Sequence, residues 1–422
     1  MTTPHVVVIG GGFGGLSAAK ALRRAPVRVT LVDRTNHHLF QPLLYQVATA
    51  GLSPSDISVP IRWALRAQRN VTVRLGDVTR IDVAARALHF AGEPEPLTYD
   101  YLIAAPGSRH AYFGHDAWEP LAPGLKSLDD ALEIRRRFLL AFERAEHATS
   151  DAEREALMTF VIVGGGPTGV ELAGTMVEIA HRAMPRDFRR IDTRRSRVVL
   201  LEGGPRLLPT FPEGSSDRAR RDLERLGVEV RTGASVTDIA PGVVTVGDTR
   251  IASHAVFWAA GNQASPLGAS LGVPLDRAGR VLVEPDLSIP GHQEVFVVGD
   301  LAAVKRNSHS WVAGVAPAAN QEGTHAARNL IRLVQGAPTR PFAYLNKGDL
   351  ATIGRNRAVA VFGRLRVDGI LAWLLWVFVH IMYLVGFRNR AIVLFEWAWA
   401  WLTFQRGVRL ITGGTPSGAV RA

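Results

Sequence analysis

The sequence of 422 residues contains no cysteine. Structural disulfides, thiolate metal sites and cysteine-ligated iron–sulfur clusters are therefore excluded. Mechanisms that need a redox-active cysteine pair or a sulfenic acid are excluded for the same reason. Any chemistry of this chain must proceed without a thiol.

Acidic residues are fewer than basic ones, and the N-terminus does not resemble a signal peptide. The chain has 38 Asp and Glu against 49 Lys and Arg, which gives a formal charge of +11. A basic protein attracts anionic partners such as nucleic acid, lipid headgroups or cofactors, although general use of arginine explains the charge equally well. The N-terminus lacks the basic region of a signal peptide, so we expect the bulk of the protein to be cytoplasmic.

A glycine-rich turn follows the first apolar run. Residues 5–10 predict a strand, 14–24 a helix, and 27–32 a second strand that ends at Asp33. This order is typical of a dinucleotide-binding βαβ unit, in which glycines let a pyrophosphate approach the helix N-terminus. Asp33 lies 23 residues after Gly10, where a carboxylate binds ribose hydroxyls. The turn consists of Gly10, Gly11, Gly12, Phe13, Gly14 and Gly15.

The same pattern recurs over residues 159–202, which indicates a duplicated module. Its acid, Glu202, lies 38 residues after Gly164, so we expect an excursion over the basic stretch 181–197. A carboxylate here repels a 2′-phosphate and favours NADH over NADPH, although Arg206 lies close enough in sequence to oppose that preference. The second turn consists of Gly164, Gly165, Gly166, Pro167, Thr168 and Gly169.

Two such turns imply two dinucleotides, and the economical pair is a flavin with NADH, because hydride can pass from the nicotinamide to the flavin. A third apolar run at 294–300 indicates that the first module resumes after the second. We therefore predict an α/β fold of two Rossmann-like domains, the second inserted into the first, with a C-terminal amphipathic helical region for membrane attachment. The predicted bounds are 1–115 and 263–335 for the FAD domain, 116–262 for the NADH domain, and 336–422 for the C-terminal region.

Several long and unusual motifs run from end to end of the chain. They are NHHLFQPLLYQVATAGLSP (36–54), VIVGGGPTGVELAG (161–174), LLEGGPRLLPTFP (200–212), VFVVGDLA (295–302), KGDLATIGRNRAVA (347–360) and LAWLLWVFVHIMYLVGFRNR (371–390). With these motifs the chain resembles type II NADH dehydrogenase, the single-subunit, non-proton-pumping NADH:quinone oxidoreductase of the two-dinucleotide-binding-domain flavoproteins.

The resemblance implies FAD in the first module and assigns roles around it. Asp300 is expected to contact the ribityl or phosphate region of FAD. The loop 36–48, which contains Gln41, is expected beside the flavin ring. Gly107 and Gly261 end two turns where relatives usually read Ala-Thr-Gly, whereas this chain has Ala-Pro-Gly and Ala-Ala-Gly. We expect no metal at the histidine pair in that loop, since adjacent strand residues point to opposite faces.

The resemblance also implies three catalytic residues. Glu171 is expected near the nicotinamide and flavin, where it influences hydride or proton transfer. An equally weighted interpretation places it in the first helical turn, stabilising the helix dipole. Gln321 is expected in the quinone pocket, although Pro317 stands where some relatives carry a second glutamine. Lys347 is expected at the quinone and flavin edge, with an ordinary surface lysine as the alternative.

The missing cysteines now separate related functions. Disulfide reductases, sulfide:quinone reductases and cysteine-dependent peroxidases share this architecture but need a thiol. Reduction of a quinone, of a ferredoxin-type carrier or of O2 remains. A flavoprotein that acts by binding nucleic acid is disfavoured because no lysine-rich run or nucleic-acid module is present.

The C-terminal segment is apolar and rich in tryptophan. Residues 370–387 contain one group that titrates near neutral pH, His380, and five of nine tryptophans fall between 373 and 401. Glu396 in the next apolar run and basic residues on both sides disfavour a spanning helix. We expect a monotopic helical pair on the cytoplasmic side of the inner membrane, in contact with anionic lipid and a membrane quinone. A buried core helix or a homodimer interface is the alternative.

Overall fold

The computed structural model describes residues 3–307, 310–403 and 408–412. The chain forms two compact units, each assembled from separate stretches. The first unit comprises Met1–Leu39, Ser58–Arg109 and Asn262–Lys347, and the second comprises Phe40–Ile57, His110–Gly261 and Gly348–Ala422.

Ten α-helices lie in the described part of the chain. They are α1 (Phe13–Ala21), α2 (Leu44–Ala48), α3 (Ile61–Leu65), α4 (Leu128–His147), α5 (Asp151–Leu157), α6 (Pro167–Glu178), α7 (Glu213–Leu226), α8 (Ala316–Val334), α9 (Gly369–Tyr383) and α10 (Phe387–Thr403).

The strands are numbered in chain order. The first half of the chain contains β1 (His5–Ile9), β2 (Arg28–Asp33), β3 (His37–Leu39), β4 (Ser58–Pro60), β5 (Val71–Leu75), β6 (Val78–Asp82), β7 (Ala87–Phe90), β8 (Glu93–Thr98), β9 (Tyr101–Ala104), β10 (Ser108–His110), β11 (Thr159–Val163) and β12 (Arg197–Glu202). The second half contains β13 (Val228–Thr232), β14 (Val236–Ala240), β15 (Val243–Val246), β16 (Thr249–Ala252), β17 (Ala255–Trp258), β18 (Asn262–Ala264), β19 (Val281–Leu282), β20 (Ser288–Ile289), β21 (His292–Val297), β22 (Ala302–Ala303), β23 (Lys305–Asn307), β24 (Ser310–Trp311), β25 (Asp349–Gly354), β26 (Arg357–Phe362) and β27 (Leu365–Asp368).

The main sheet of the first unit has the order β20-β21-β9-β1-β2-β5. All neighbours except β20 and β21 run parallel. The β1 sequence HVVVI is buried at every position, as expected for a strand covered on both faces. Because β21 joins this sheet beside β9, the third apolar run belongs to the first module, and the predicted insertion of one module into the other is confirmed.

The main sheet of the second unit has the order β13-β12-β11-β17, with every pair parallel. Its first strand, TFVIV, is again buried throughout. The predicted excursion before Glu202 is confirmed: α6 continues as a π-helix, Ile179–Ala183, and a 3-10 turn at Thr193–Arg195 leads into β12.

The C-terminal apolar run is divided into two helices, α9 and α10. The backbone turns between them at Gly386, whose φ of +91° is a left-handed conformation that glycine adopts without strain. None of the helices described by the structure is long and apolar enough to cross a membrane. Both helices expose large apolar side chains, among them Leu371, Phe378, Phe387, Phe395 and Leu402.

Candidate functional site

The glycine turn of the first unit is shaped for a ligand that approaches the backbone closely. Gly10 has a φ of +93°, and a β-carbon there would lie 2.2 Å from the Ala105 carbonyl oxygen. A β-carbon at Gly15 would lie 1.8 Å from the Gly10 carbonyl oxygen, so the turn tolerates no side chain at either position. At Gly12, a β-carbon would meet no atom of the described residues within 4 Å. The backbone at Gly12 therefore faces open space.

Helix α1 begins at Phe13, directly after this open position. Its N-cap, Gly12, has no side chain to accept a hydrogen bond, and no acid lies in its first turn. The helices α4 and α5 instead begin after Ser127 and Ser150, whose side chains accept hydrogen bonds from the backbone. The uncapped N–H groups of α1 can therefore bind an anion, because the helix N-terminus is electropositive.

The acid at the end of β2 is fixed against the turn. Asp33 Oδ2 accepts a hydrogen bond from the Gly11 backbone N–H at 2.5 Å. Its Oδ1 accepts from the backbone N–H and the hydroxyl of Thr35, at 2.6 and 2.8 Å. The carboxylate thus lies beside the glycine turn, where the motif predicts a ribose.

His38 is a structural partner of this turn that its sequence pattern does not identify. Its imidazole is 3% exposed, and Nδ1 lies 2.8 Å from the Gly11 carbonyl oxygen. The ring of Phe13 meets it edge-on at 5.2 Å between centroids. Burial lowers the pKa of His38. The neighbouring His37 is partly exposed, as the strand alternation predicts, and no cluster of metal-ligating side chains occurs among the described residues.

The glycine turn of the second unit repeats the first. Gly164 has a φ of +110°, and a β-carbon at Gly169 would lie 1.8 Å from the Gly164 carbonyl oxygen. A β-carbon at Gly166 would meet nothing within 4 Å among the described residues. Helix α6 then begins at Pro167, followed by Thr168, with no side-chain cap and no acid in its first turn. The local geometry of an anion-binding helix start is therefore present twice.

Glu202 occupies the place that Asp33 occupies in the first unit. Its Oε2 accepts from the Gly165 backbone N–H and its Oε1 from the Gly204 backbone N–H, both at 2.6 Å. The guanidinium of Arg206 instead donates to the Phe211 carbonyl oxygen in the loop that follows and to the Ser216 hydroxyl in α7, at 2.7 and 2.6 Å. Arg206 therefore has a structural role in this loop.

A second acidic group lies at the end of β21 in the first unit. Asp300 Oδ2 accepts a hydrogen bond from the Ser108 hydroxyl at 2.5 Å. The preceding residue, Gly299, donates its backbone N–H to Glu322 Oε2 at 2.6 Å. Glu322 is 3% exposed, and burial, opposed by this hydrogen bond and reinforced by the nearby Asp300 charge, raises its pKa to about 7. Sequence reasoning did not identify Glu322.

The remaining predicted cofactor residues lie at turns. Gly107 and Gly261 have φ values of +76° and +73°, as expected of the last residue in these turns. Gln41 belongs to the second unit, in which its amide donates to the Lys126 carbonyl oxygen at 3.2 Å. It is thus grouped apart from Gly10, Asp33 and Asp300, which belong to the first unit.

Glu171 lies deeper in its helix than the sequence analysis expected. It is the fifth residue of α6, and no acid lies in the first turn. The interpretation of Glu171 as a first-turn acid that stabilises the helix dipole is therefore wrong. Burial raises the pKa of its carboxyl well above the ordinary value, while the Thr352 backbone N–H donates a hydrogen bond that opposes the shift. Glu171 therefore keeps its proton to a higher pH than an exposed glutamate.

Gln321 uses its whole amide to hold a nearby segment. Its Oε1 accepts from the Leu345 backbone N–H at 3.0 Å, and its Nε2 donates to the carbonyl oxygens of Leu345 and Pro317 at 3.0 and 3.1 Å. Lys347 follows two residues later with an exposed side chain. The glutamine therefore fixes the backbone that carries Lys347.

The C-terminal helices belong to the second unit and pack tryptophans within it. Trp397 Nε1 donates to Gln46 Oε1 at 2.7 Å, and the rings of Trp376 and Trp397 lie 5.1 Å apart. His380 stacks on Trp376 at 4.2 Å, and burial lowers its pKa to about 4. The histidine of the first apolar run is therefore neutral at physiological pH.

Comparison with known proteins fits this geometry. Residues 4–323 match the family described as pyridine nucleotide-disulphide oxidoreductase, and residues 346–406 match the NDH2 C-terminal domain. The fold and the family match thus define an oxidoreductase of the pyridine nucleotide-disulphide oxidoreductase class, here without the cysteines of the disulphide reductases. The chain is 46% identical to the type II NADH:quinone oxidoreductase Ndh of Mycobacterium tuberculosis, over 97% of this chain and 90% of that protein.

Two further comparisons extend over most of the chain. A type II NADH:quinone oxidoreductase of Haemophilus influenzae is 28% identical, over 84% of this chain and 86% of its own length. The solved structure of NDH2 from Plasmodium falciparum in complex with NADH superposes with a TM-score of 0.87, covering 98% of this chain and 100% of that one at 20% identity. This chain belongs to the type II NADH:quinone oxidoreductase family.

Proposed function

We propose that this chain oxidises NADH bound at the second glycine turn and transfers the electrons, through FAD bound at the first, to a membrane quinone. The observation that supports the proposal most strongly is that the same anion-binding arrangement occurs at both glycine turns. Each unit has an uncapped helix start, a glycine open to a pyrophosphate and a carboxylate fixed beside it. The 46% identity to a type II NADH:quinone oxidoreductase supports the same reaction.

The residues of each turn suit the dinucleotide proposed for it. Gly12 and Gly166 leave room for a pyrophosphate at the start of α1 and α6. Asp33 and Glu202 accept hydrogen bonds and can accept them from ribose hydroxyls. Glu202 repels a 2′-phosphate, and the engagement of Arg206 within its own loop supports a preference for NADH over NADPH. FAD, when bound, supplies the two-electron acceptor and donor chemistry.

Further contacts to FAD and NADH are assigned from the family. Asp300, oriented by the Ser108 hydroxyl, would hold the ribityl or phosphate region of FAD. Gly107, Gly261 and Gln41 complete the proposed cofactor set. Glu171 would hold and move a proton during turnover, which its raised pKa supports. Lys347 would act at the quinone, and Gln321 would position the segment that carries it.

Membrane attachment through α9 and α10 is the third part of the proposal. The apolar side chains exposed on these helices and the interfacial tryptophans suit a monotopic helical pair in one leaflet. The basic charge of the chain favours anionic lipid on the cytoplasmic side of the inner membrane. A homodimer that covers the same apolar faces is the alternative, and it would leave the protein soluble after removal of lipid and detergent.

The decisive measurement is NADH oxidation by purified protein with a water-soluble quinone analogue, with a ferredoxin, and with O2 alone. We expect fast turnover only with the quinone, and one FAD released per chain on denaturation. Quinone rates that merely match O2 rates, together with fast ferredoxin reduction, would contradict the proposal and favour a soluble-carrier reductase. Truncation after residue 365 should release the protein from membranes, and continued sedimentation with them would contradict the anchor.

A further inference from the structure

A strongly basic segment connects α6 to β12 in the second unit. Residues 181–197, the arginine segment, contain seven arginines and two aspartates, and therefore carry +5 of the formal +11 of the chain. The charge excess is thus concentrated and not spread evenly over the sequence. All seven arginines are exposed: Arg182, Arg186, Arg189, Arg190, Arg194, Arg195 and Arg197.

The backbone of this segment is held by hydrogen bonds to Glu146 and Thr193, while the arginine side chains remain exposed to solvent. The Glu146 carboxylate accepts from the backbone N–H groups of Arg189, Arg190 and Ile191 at 2.9 to 3.0 Å. The Thr193 hydroxyl donates to the Ala180 carbonyl oxygen at 2.7 Å. Glu146 thus orders the segment through its main chain. Among the seven arginines, Arg194 is paired with Asp192 and Arg197 with Glu229, and both remain exposed.

The arginine segment borders the apolar C-terminal helices. Arg409, six residues beyond the end of α10, donates to the Ala183 carbonyl oxygen at 2.9 Å and to Asp187 Oδ2 at 2.6 Å. Ala183 also lines a small cavity whose wall includes Trp397 and Trp401 of α10. The start of the arginine segment therefore lies beside α10 and the residues that follow it.

We propose that the arginine segment is a second membrane contact, which binds the phosphates of anionic phospholipids beside α9 and α10. This inference rests on the membrane attachment proposed above. A guanidinium presents paired N–H donors that match phosphate oxygens, and it is more weakly hydrated than an ammonium. Each basic side chain near an anionic leaflet contributes about 1 kcal/mol, which is roughly fivefold in affinity. The segment therefore adds electrostatic binding to the apolar contact that α9 and α10 make.

The test compares vesicle binding of the full-length holoprotein with that of R186Q/R190Q/R195Q. We expect the variant to lose roughly 100-fold in binding to phosphatidylglycerol-containing vesicles, since three charges worth about fivefold each are removed. Its weaker binding to pure phosphatidylcholine vesicles should be unchanged. The variant R186K/R190K/R195K should retain most of the anionic binding because it retains the charge. Added salt should weaken the wild type and the lysine variant more than the glutamine variant.

A matched control removes the same number of exposed arginines from the first unit, in R24Q/R69Q/R277Q. Equal loss in this control would overturn the proposal, because it would reduce the effect to net charge. Equal loss on neutral vesicles, or abolition of vesicle binding by inorganic phosphate at matched ionic strength, would also overturn it. NADH oxidation with a water-soluble quinone analogue in detergent should be unchanged in R186Q/R190Q/R195Q. That readout separates failure of this proposal from failure of the proposed reaction.

Discussion

In the first unit, helix α8 packs behind the glycine turn: a β-carbon at Gly323 would lie 2.0 Å from the Gly14 carbonyl oxygen. In the second unit, strand β25 packs behind the helix that follows the turn: a β-carbon at Gly174 would lie 1.7 Å from the Ile353 carbonyl oxygen. The turns themselves have the same geometry. Each packing element supplies a different partner, so α8 brings Glu322 and β25 brings the backbone donor to Glu171.

The two units therefore share the local geometry of the glycine turn and differ in the element that packs behind it. A glycine turn with an uncapped helix and an acid is a local structural motif, and it forms twice from short stretches of sequence. The chemistry around each turn depends on long-range packing, because burial raises the pKa of both Glu171 and Glu322 and a backbone N–H from a distant part of the chain opposes each shift. Substitutions in the glycine turns should therefore affect cofactor binding, whereas substitutions of the carboxyls positioned by long-range packing should affect catalysis or stability.

The largest effects are expected from alanine at the open glycine of each turn. In G12A and G166A the new methyl group meets no atom of the described residues, so the fold should persist while the ligand is obstructed. We expect G12A to purify without FAD and to be inactive. We expect G166A to keep FAD and to bind NADH roughly 100-fold more weakly, for an obstruction of about 3 kcal/mol. Flavin absorbance and NADH titration distinguish these outcomes.

If both variants lost FAD, or if both kept it, the assignment of FAD to the first turn and NADH to the second would be contradicted. Thermal unfolding serves as the control for folding, because a change in melting temperature without ligand would indicate damage to the turn itself. The variant G15A provides the opposite case, since its β-carbon would lie 1.8 Å from the Gly10 carbonyl oxygen and should destabilise the unit even without cofactor.

The next effect concerns the proton held by Glu171. Because the pKa of this carboxyl is raised, its protonated form persists to higher pH and is lost as the pH rises through the shifted value. If that proton is used in turnover, the rate should fall on the alkaline side of the pH profile. We expect E171Q to lower kcat roughly 100-fold and to remove that limb. An E171Q profile that keeps the same alkaline limb would assign the titration to another group.

The sequence was sufficient for those parts of the site that depend on neighbours along the chain. Gly12, Gly166 and the two acids at Asp33 and Glu202 follow from spacing, because a strand, a tight turn and a helix place them with little room for variation. The 181–197 excursion followed from the excess length before Glu202.

Other parts depend on contacts that spacing does not encode. Glu322 is buried because α8 lays a face of small residues against α1, and Ser17 bonds to Asn320 across 303 positions of sequence. A signal existed, since the small residues recur at helical intervals around this acid: Ala318, Ala319, Gly323, Ala326 and Ala327. Glu171 was placed one turn too early because the start of α6, at Pro167, was not anticipated.

A smaller effect is expected at the acid that faces the second dinucleotide. Replacing Glu202 by Gln keeps an acceptor for a ribose hydroxyl but removes the charge that repels a 2′-phosphate. We expect E202Q to raise the ratio of kcat/KM for NADPH to that for NADH by about tenfold, which corresponds to about 1.4 kcal/mol. The matched variant D33N should leave this ratio unchanged because it alters only the first turn. An equal shift in both variants would mean that the two acids do not serve separate dinucleotides.

The smallest effect should appear as a change in stability at Glu322. Its pKa is about 7 in the folded protein against an ordinary 4.5, so the folded state keeps a proton that the unfolded chain releases. Stability therefore falls as the pH rises from 4.5 through 7, by up to about 3 kcal/mol from this group.

The variant E322Q keeps an oxygen that can accept the Gly299 hydrogen bond and has no charge to bury. We expect its melting temperature to match that of the wild type near pH 4.5 and to exceed it by a few degrees at pH 8. The exposed acid Glu95 provides the control, since E95Q makes the same change of charge in the first unit without relieving a buried carboxylate. A wild type and E322Q that respond to pH in parallel would show that the Gly299 contact keeps Glu322 ionised throughout. The packing of α8 behind the first turn would then not depend on protonation of Glu322.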